Sequence, residues 1–173
     1  MKQFALLSSI PLLVLAASAS AATTVAMHVI DASGVGKAIG TVALSDSAKG
    51  LVLQTDLAGL TPGQHGFHVH ENADCGAKEK DGKRVAGLAA GGHYDPAKAG
   101  KHEGPSGKGH LGDLPTLVVD AQGRAKGSLV APRLKLADVK GRSLMIHEGG
   151  DNFSDNPKPL GGGGGRVACG LIK

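Results

Sequence analysis

His68, His70, His93, His102, His110, Asp113 and His147 are residues of the kinds that hold metal ions, and five of the chain's eight histidines fall between His68 and His110. Imidazole is the commonest neutral metal ligand and suits zinc and copper. His102, His110 and Asp113 sit in Gly-Lys-His-Glu-Gly and Gly-His-Leu-Gly-Asp, where the glycines let backbone wrap tightly around an ion. With His93, in Gly-Gly-His-Tyr, they make a four-coordinate nitrogen and oxygen set suited to a structural zinc. His68 and His70 stand at i and i+2, so on a strand they share a face, roughly 7 Å apart. His147 completes with them a histidine set of the kind that suits Cu(II). The bland alternative is a scatter of loop histidines exposed to solvent, which seven ligand residues with supporting glycines speak against. Spacing alone leaves open whether His93 serves one ion or two.

The elements that must position these residues follow a period of two. Val25, Met27 and Val29 alternate with Ala26 and His28, and Leu51, Leu53, Thr55 and Leu57 alternate with Val52, Gln54 and Asp56. Turn chemistry at Ser33-Gly34, Thr61-Pro62-Gly63 and Ala121-Gln122-Gly123 separates short runs. About eight strands are expected, near 24–30, 37–44, 50–57, 65–70, 115–120, 125–131, 143–147 and 166–172, with a helical turn at Leu134–Val139. Many short strands with Gly/Pro turns indicate an all-β antiparallel sandwich or barrel. Two connections, 71–114 and 148–165, exceed the roughly 12–15 residues usual for a loop without a function. Parity in His65-Gly66-Phe67-His68-Val69-His70 sends Phe67 and Val69 to the core. It puts His68 and His70 on the outer face, beneath the long loops. His65 shares the inward parity and reads as a structural histidine bonded to backbone. His28 reads as a solvated surface residue and Tyr94 as packing.

Residues 1–21 read as a secretory signal peptide: Lys2, an apolar run from Phe4 to Ala17, then an Ala-x-Ala cleavage site after Ala19 or Ala21. Export leaves a domain of residues 22–173, and losing Lys2 lowers the net charge from +4 to +3. That charge is mild and unclustered, which argues against a nucleic acid partner. No segment is apolar over the roughly 20 residues of a membrane span. Cys75 and Cys169, in an oxidising compartment, read as one disulfide, worth about 4–5 kcal/mol in the chain-entropy model. Metal ligation by cysteine is the alternative, and neither has a C-x-x-C neighbour.

Taken together, His65–His70, Gly100-Lys101-His102-Glu103-Gly104-Pro105, Gly109-His110-Leu111-Gly112-Asp113-Leu114, Met145-Ile146-His147, Gly149-Gly150-Asp151-Asn152 and Arg166-Val167-Ala168-Cys169-Gly170 resemble the copper,zinc superoxide dismutases of the bacterial periplasmic type. The resemblance covers essentially the whole mature chain and implies a Greek-key β-barrel of eight strands. It implies one copper held by His68, His70, His93 and His147, and one zinc held by His93, His102, His110 and Asp113, with His93 shared. Asp151 would link a copper histidine to a zinc histidine, and Arg166 would attract and align the superoxide anion. Cys75 and Cys169 would form the family's intrachain disulfide. The implied reaction alternately reduces and oxidises copper, giving dioxygen and hydrogen peroxide, with His93 carrying a proton.

Residues 71–113 hold seven basic and seven acidic side chains, so any steering field must come from local placement. Lys78, Lys80, Lys83 and Arg84 are the candidates; an ordinary solvated loop is the alternative. The resemblance allows a monomer or a homodimer. The competing function is a non-enzymatic copper- and zinc-binding or copper-carrier domain on the same barrel, which would need neither His147 nor Arg166. A copper-only enzyme is disfavoured by the presence of His102, His110 and Asp113.

Overall fold

The alternating sequence folds into a nearly all-β domain. A computed structural model describes residues 22–173; the expected signal segment lies outside the described residues. Eleven strands form in chain order: β1 Thr23–Asp31, β2 Gly34–Ser47, β3 Gly50–Ala58, β4 Gly63–His65, β5 Phe67–His70, β6 Lys78–Lys80, β7 Lys83–Val85, β8 Leu117–Val119, β9 Arg124–Ala131, β10 Arg142–His147 and β11 Arg166–Ile172. One turn of helix, α1 at Leu136–Val139, falls within the expected stretch.

Seven strands make one antiparallel sheet in the order β5-β10-β11-β1-β2-β3-β9, with β4–β8 and β6–β7 as separate pairs. The expected single strand at 65–70 is two, because the chain changes partners at Gly66: β4 pairs with β8 and β5 with β10. The sheet curls, and β8, beside β9, joins β4 to bring its two edges together. Strand β10 inserts between β5 and β11 after a long crossover from β9, which is Greek-key connectivity. Counting β4 and β5 as one and setting aside the β6–β7 hairpin leaves the eight strands expected.

Strand parity explains the core. Leu51, Leu53, Thr55 and Leu57 are buried while Gln54 and Asp56 face solvent. Phe67 and Val69 are fully buried in the same core as Leu44, Leu114 and Leu144, each contributing on the order of 1.5–3 kcal/mol by leaving water. In β1 the expected alternation holds, with Val25 and Met27 fully buried in that core and Val29 packed against it. Register shifts on either side of His28 accompany the half-burial of Val29, while Ile30, of opposite parity, is buried on the other face. Ile30 joins Cys75, Ala90, Met145 and Cys169 in a second cluster on the outer face. That cluster seats the first long loop.

Candidate metal centre

The outer face of β5 carries His68 and His70, and two loop segments lie against it. His70 pairs with His93 and His68 with Asp113 as isolated bridges. Backbone bonds lock the three stretches together: Val69 N–H donates to Gly112 O at 2.8 Å, Tyr94 N–H to Val69 O at 2.9 Å, and Gly112 N–H to Tyr94 O at 2.8 Å. Gly112 has to be glycine, since a Cβ there would strike Val69 O and sit 2.9 Å from Tyr94 N. His147 ends β10, turned by a register shift after Ile146. His65 supports it from the core side, with ring nitrogens 2.6 Å from His147 O and 2.7 Å from Thr61 O. His65 is thus the structural histidine that parity indicates.

All seven ligand-type residues are buried, so they are not solvated loop histidines. Their hydrogen bonds fix which nitrogen is free. His70 Nδ1–H donates to Gly91 O at 3.0 Å and His147 Nδ1–H to Gly164 O at 3.2 Å, leaving both Nε2 atoms as lone-pair donors 3.4 Å apart. His68 and His102 donate their Nε2–H to opposite oxygens of Asp151, at 2.8 and 2.7 Å, leaving each Nδ1 free. His93 Nδ1 lies 3.0 Å from Asp113 Oδ1, and its ring stacks on His68 with centroids 3.8 Å apart.

Four of these nitrogens, His68 Nδ1, His93 Nε2, His102 Nδ1 and His110 Nδ1, are buried without a hydrogen-bond partner. Unpaired buried polar atoms are costly, and convergent lone pairs repel, so a cation is what fits. His102 Nδ1 lies 3.0 Å from Asp113 Oδ2 without the alignment of a hydrogen bond, as two donors aimed at a common point would.

The donor atoms gather into two groups within 4.8 Å. One is His68, His70, His93 and His147; the other is His68, His93, His102 and Asp113. His93 belongs to both. The second takes His68 where the sequence pattern has His110, whose free Nδ1 is 3.4 Å from Asp113 Oδ1.

Electrostatics divides the two groups. Burial, reinforced by the neighbouring histidines, lowers His68 to about 3 and His147 to about 4, and holds His70 well below the usual imidazole range. These rings stay neutral and ready to ligate. At His102, burial is outweighed by the adjoining Asp113 carboxylate and the hydrogen bond to Asp151, which raise it to about 9. Against burial, the histidines beside them hold Asp113 and Asp151 well below the carboxylate range. The first group is all nitrogen and neutral; the second includes the carboxylate of Asp113.

Arg166 opens β11, and its Nη1 and Nη2 donate to Gly87 O at 2.5 Å and Gly91 O at 2.6 Å. Gly91 O also receives His70, so one carbonyl links the arginine to a ligand histidine. Cys75 and Cys169 are disulfide-bonded, with Cα atoms 5.7 Å apart, fixing the loop that supplies Gly87 and Gly91. Lys78, Lys80, Lys83 and Arg84 lie exposed on the β6–β7 hairpin, where Arg84 Nε–H donates to Ala32 O. Tyr94 packs beneath Arg142, 3.4 Å from ring centroid to guanidinium carbon. His28 is half-buried and faces Gly36 O.

Sequence reasoning missed Asp155, which accepts His102 N–H at 2.9 Å and Leu160 N–H at 3.0 Å, tying the two long loops together. It missed Arg133 as well. Both act on backbone groups of distant segments, which leave no spacing signal.

The profile of the copper/zinc superoxide dismutase family matches residues 38–172. A Cu-Zn superoxide dismutase of Escherichia coli K12 is 53% identical over 175 residues, covering 100% of both chains. The structure of the Cu/Zn superoxide dismutase from Brucella abortus superposes with a TM-score of 0.87 at 55% identity, over 88% of this chain and 100% of that one. The monomeric copper, zinc superoxide dismutase from Salmonella enterica gives 0.80 at 56% identity, with the same coverage. With two clusters of free donors suited to those metals, the chain belongs to the copper/zinc superoxide dismutase family.

Proposed function

We propose that the chain dismutes superoxide to dioxygen and hydrogen peroxide with one copper at His68, His70, His93 and His147 and one zinc at His93, His102, His110 and Asp113. The observation that carries this division is the set of buried nitrogens without hydrogen-bond partners. Giving His68 to the zinc group would strip a nitrogen from the copper group and strand His110 Nδ1. Giving His68 to copper uses every one. A neutral all-nitrogen set suits copper, and a set with a carboxylate suits zinc.

When bound, copper supplies the one-electron chemistry, and zinc has none of its own. The rest falls to the protein. Asp151 holds His68 and His102 in one orientation through their Nε2–H groups, fixing both sites from a single carboxylate. The carbonyls of Gly91 and Gly164 do the same for His70 and His147. Arg166 keeps its charge although burial lowers its proton affinity. Pinned at two carbonyls, it offers a fixed positive group to attract and align the anion. His93, with Nδ1 committed towards Asp113, has Nε2 as the atom to hold and pass on a proton for peroxide. Lys78, Lys80, Lys83 and Arg84 add a local positive field.

Residues 1–21 act as a signal for export to the periplasm and are cleaved, and the mature chain works as a monomer or homodimer, with the monomeric Salmonella relative favouring the former. N-terminal sequencing and sedimentation of exported protein test both statements. For the reaction, the mature protein is purified, its copper and zinc per chain measured, and superoxide removal assayed. Protein that holds both metals yet leaves superoxide untouched refutes the enzyme reading and returns the chain to the copper-carrier alternative.

A further inference from the structure

Arg133 lies between β9 and α1, outside both donor groups, yet its guanidinium is committed to the loop that carries them. Nε donates to Pro105 O at 3.0 Å, Nη1 to Gly109 O at 3.1 Å, and Nη2 to Gly104 O at 3.2 Å and His110 O at 2.5 Å. Gly104, Gly109 and His110 are buried; without the arginine the Gly109 carbonyl would lose its partner, and those of Gly104 and His110 would keep only long bonds from Gly107 N–H at 3.4 Å and Asp113 N–H at 3.5 Å. The four acceptors form two pairs, one just after His102 and the other at His110 itself. The cation therefore draws 104–105 and 109–110 together. His110 N–H, bonded to Lys101 O at 2.9 Å, closes the same ring. The arginine's own base is rigid, since it stands between Ala131 at the end of β9 and the fully buried Leu134.

We infer that Arg133 is a positioning residue of the zinc site. It clasps residues 104–110 into a ring whose two ends present His102 and His110 to Asp113. The role rests on the zinc assignment proposed above. Only a planar fork of donors can meet four carbonyls spread around it; a lysine ammonium is a compact charge with three donors.

An arginine that merely stabilised the fold would leave zinc affinity unchanged wherever the protein is already folded, and that separates the two roles. Wild type, Arg133→Ala, Arg133→Lys and His110→Ala are prepared as the full mature chain, and circular dichroism establishes conditions in which each is folded. Zinc sulfate is then titrated against a chromogenic chelator, with copper retention measured in parallel. Arg133→Ala is expected to weaken zinc by about 10–100-fold, as loss of groups that orient ligands commonly does. Copper is expected to be retained, and Arg133→Lys to fall between wild type and alanine. A folded Arg133→Ala that holds zinc within threefold of wild type overturns the proposal. If the alanine variant does not fold, the lysine variant decides by the same criterion. Wild type without zinc, or His110→Ala binding it as tightly as wild type, overturns the zinc assignment itself.

Discussion

Gly161 shows how closely the second long loop is fitted to the site, and Gly161→Ala gives the sharpest test of that fit. Its backbone is left-handed, at φ +71°, and a methyl group there would strike Asp151 Oδ1 and come within 2.8 Å of His102 Nε2. The left-handed conformation alone costs an L-residue about 1–2 kcal/mol. Breaking the Asp151–His102 bond, in which at least one partner is charged, adds about 1.5–3 kcal/mol. The total is about 2.5–5 kcal/mol. Gly162→Ala supplies the control, because Gly162 is also left-handed at φ +79° but its methyl would meet nothing nearer than Lys158 Cβ at 3.8 Å. That variant is expected to lose only the backbone part. Urea unfolding of the metal-free chains measures both, and zinc competition shows whether the extra loss reaches the metal. Gly161→Ala should weaken zinc and Gly162→Ala should not. Two variants alike in stability and in zinc affinity would refute the idea that Gly161 is fitted against the Asp151–His102 contact.

His147→Ala removes one donor of the all-nitrogen group alone, so metal analysis should find copper and activity lost while zinc and the fold remain. Arg166→Ala should keep both metals and slow superoxide removal; if the charge steers the anion, the slope of rate against ionic strength also flattens. The metal-free chain should be most stable near pH 6.5. Its lowered His68 and His147 refuse protons that the unfolded chain takes below about 6.5, so stability falls with pH towards 4, and Asp113 and Asp151 deepen the loss in acid. The raised His102 acts in the other direction, its contribution being complete below about 6.5 and lost as pH climbs through 9. Denaturant midpoints of the metal-free chain between pH 4 and 10 measure this, and a midpoint that rises on acidification below 6 contradicts it.

What was legible in the sequence was local. Phe67, His68, Val69 and His70 could be assigned to opposite faces because alternation needs only neighbouring residues and an extended backbone. The same logic placed Val29 on the core face but could not show that it is only half-buried, since the register shifts around His28 depend on the strands beside β1. The β6–β7 hairpin carried its own signal in Asp81-Gly82, a favoured pair for a tight turn. It was hidden because Lys78–Lys80 and Lys83–Val85 are exposed throughout and show no apolar alternation. The choice of ligand nitrogen was out of reach altogether. It depends on where the carbonyls of Gly91 and Gly164 and the carboxylate of Asp151 arrive, and those come from remote stretches of chain.

The barrel core is complete without the histidines, since Phe67 and Val69 face it while His68 and His70 face away. Their burial is therefore the work of loops, and loops hold a geometry only where something ties them. The disulfide ties the stretch that supplies Gly87 and Gly91; Asp155 ties His102 to Leu160; Arg133 ties 104–105 to 109–110. A sheet alone would have put two histidines in water 7 Å apart, roughly the spacing of i and i+2 side chains. Bringing His93, His102 and Asp113 within 4.8 Å of His68 takes these cross-ties. It follows that substitutions at the ties should disturb metal occupancy before they disturb the barrel, and that the accuracy of the centre resides in residues that bind no metal.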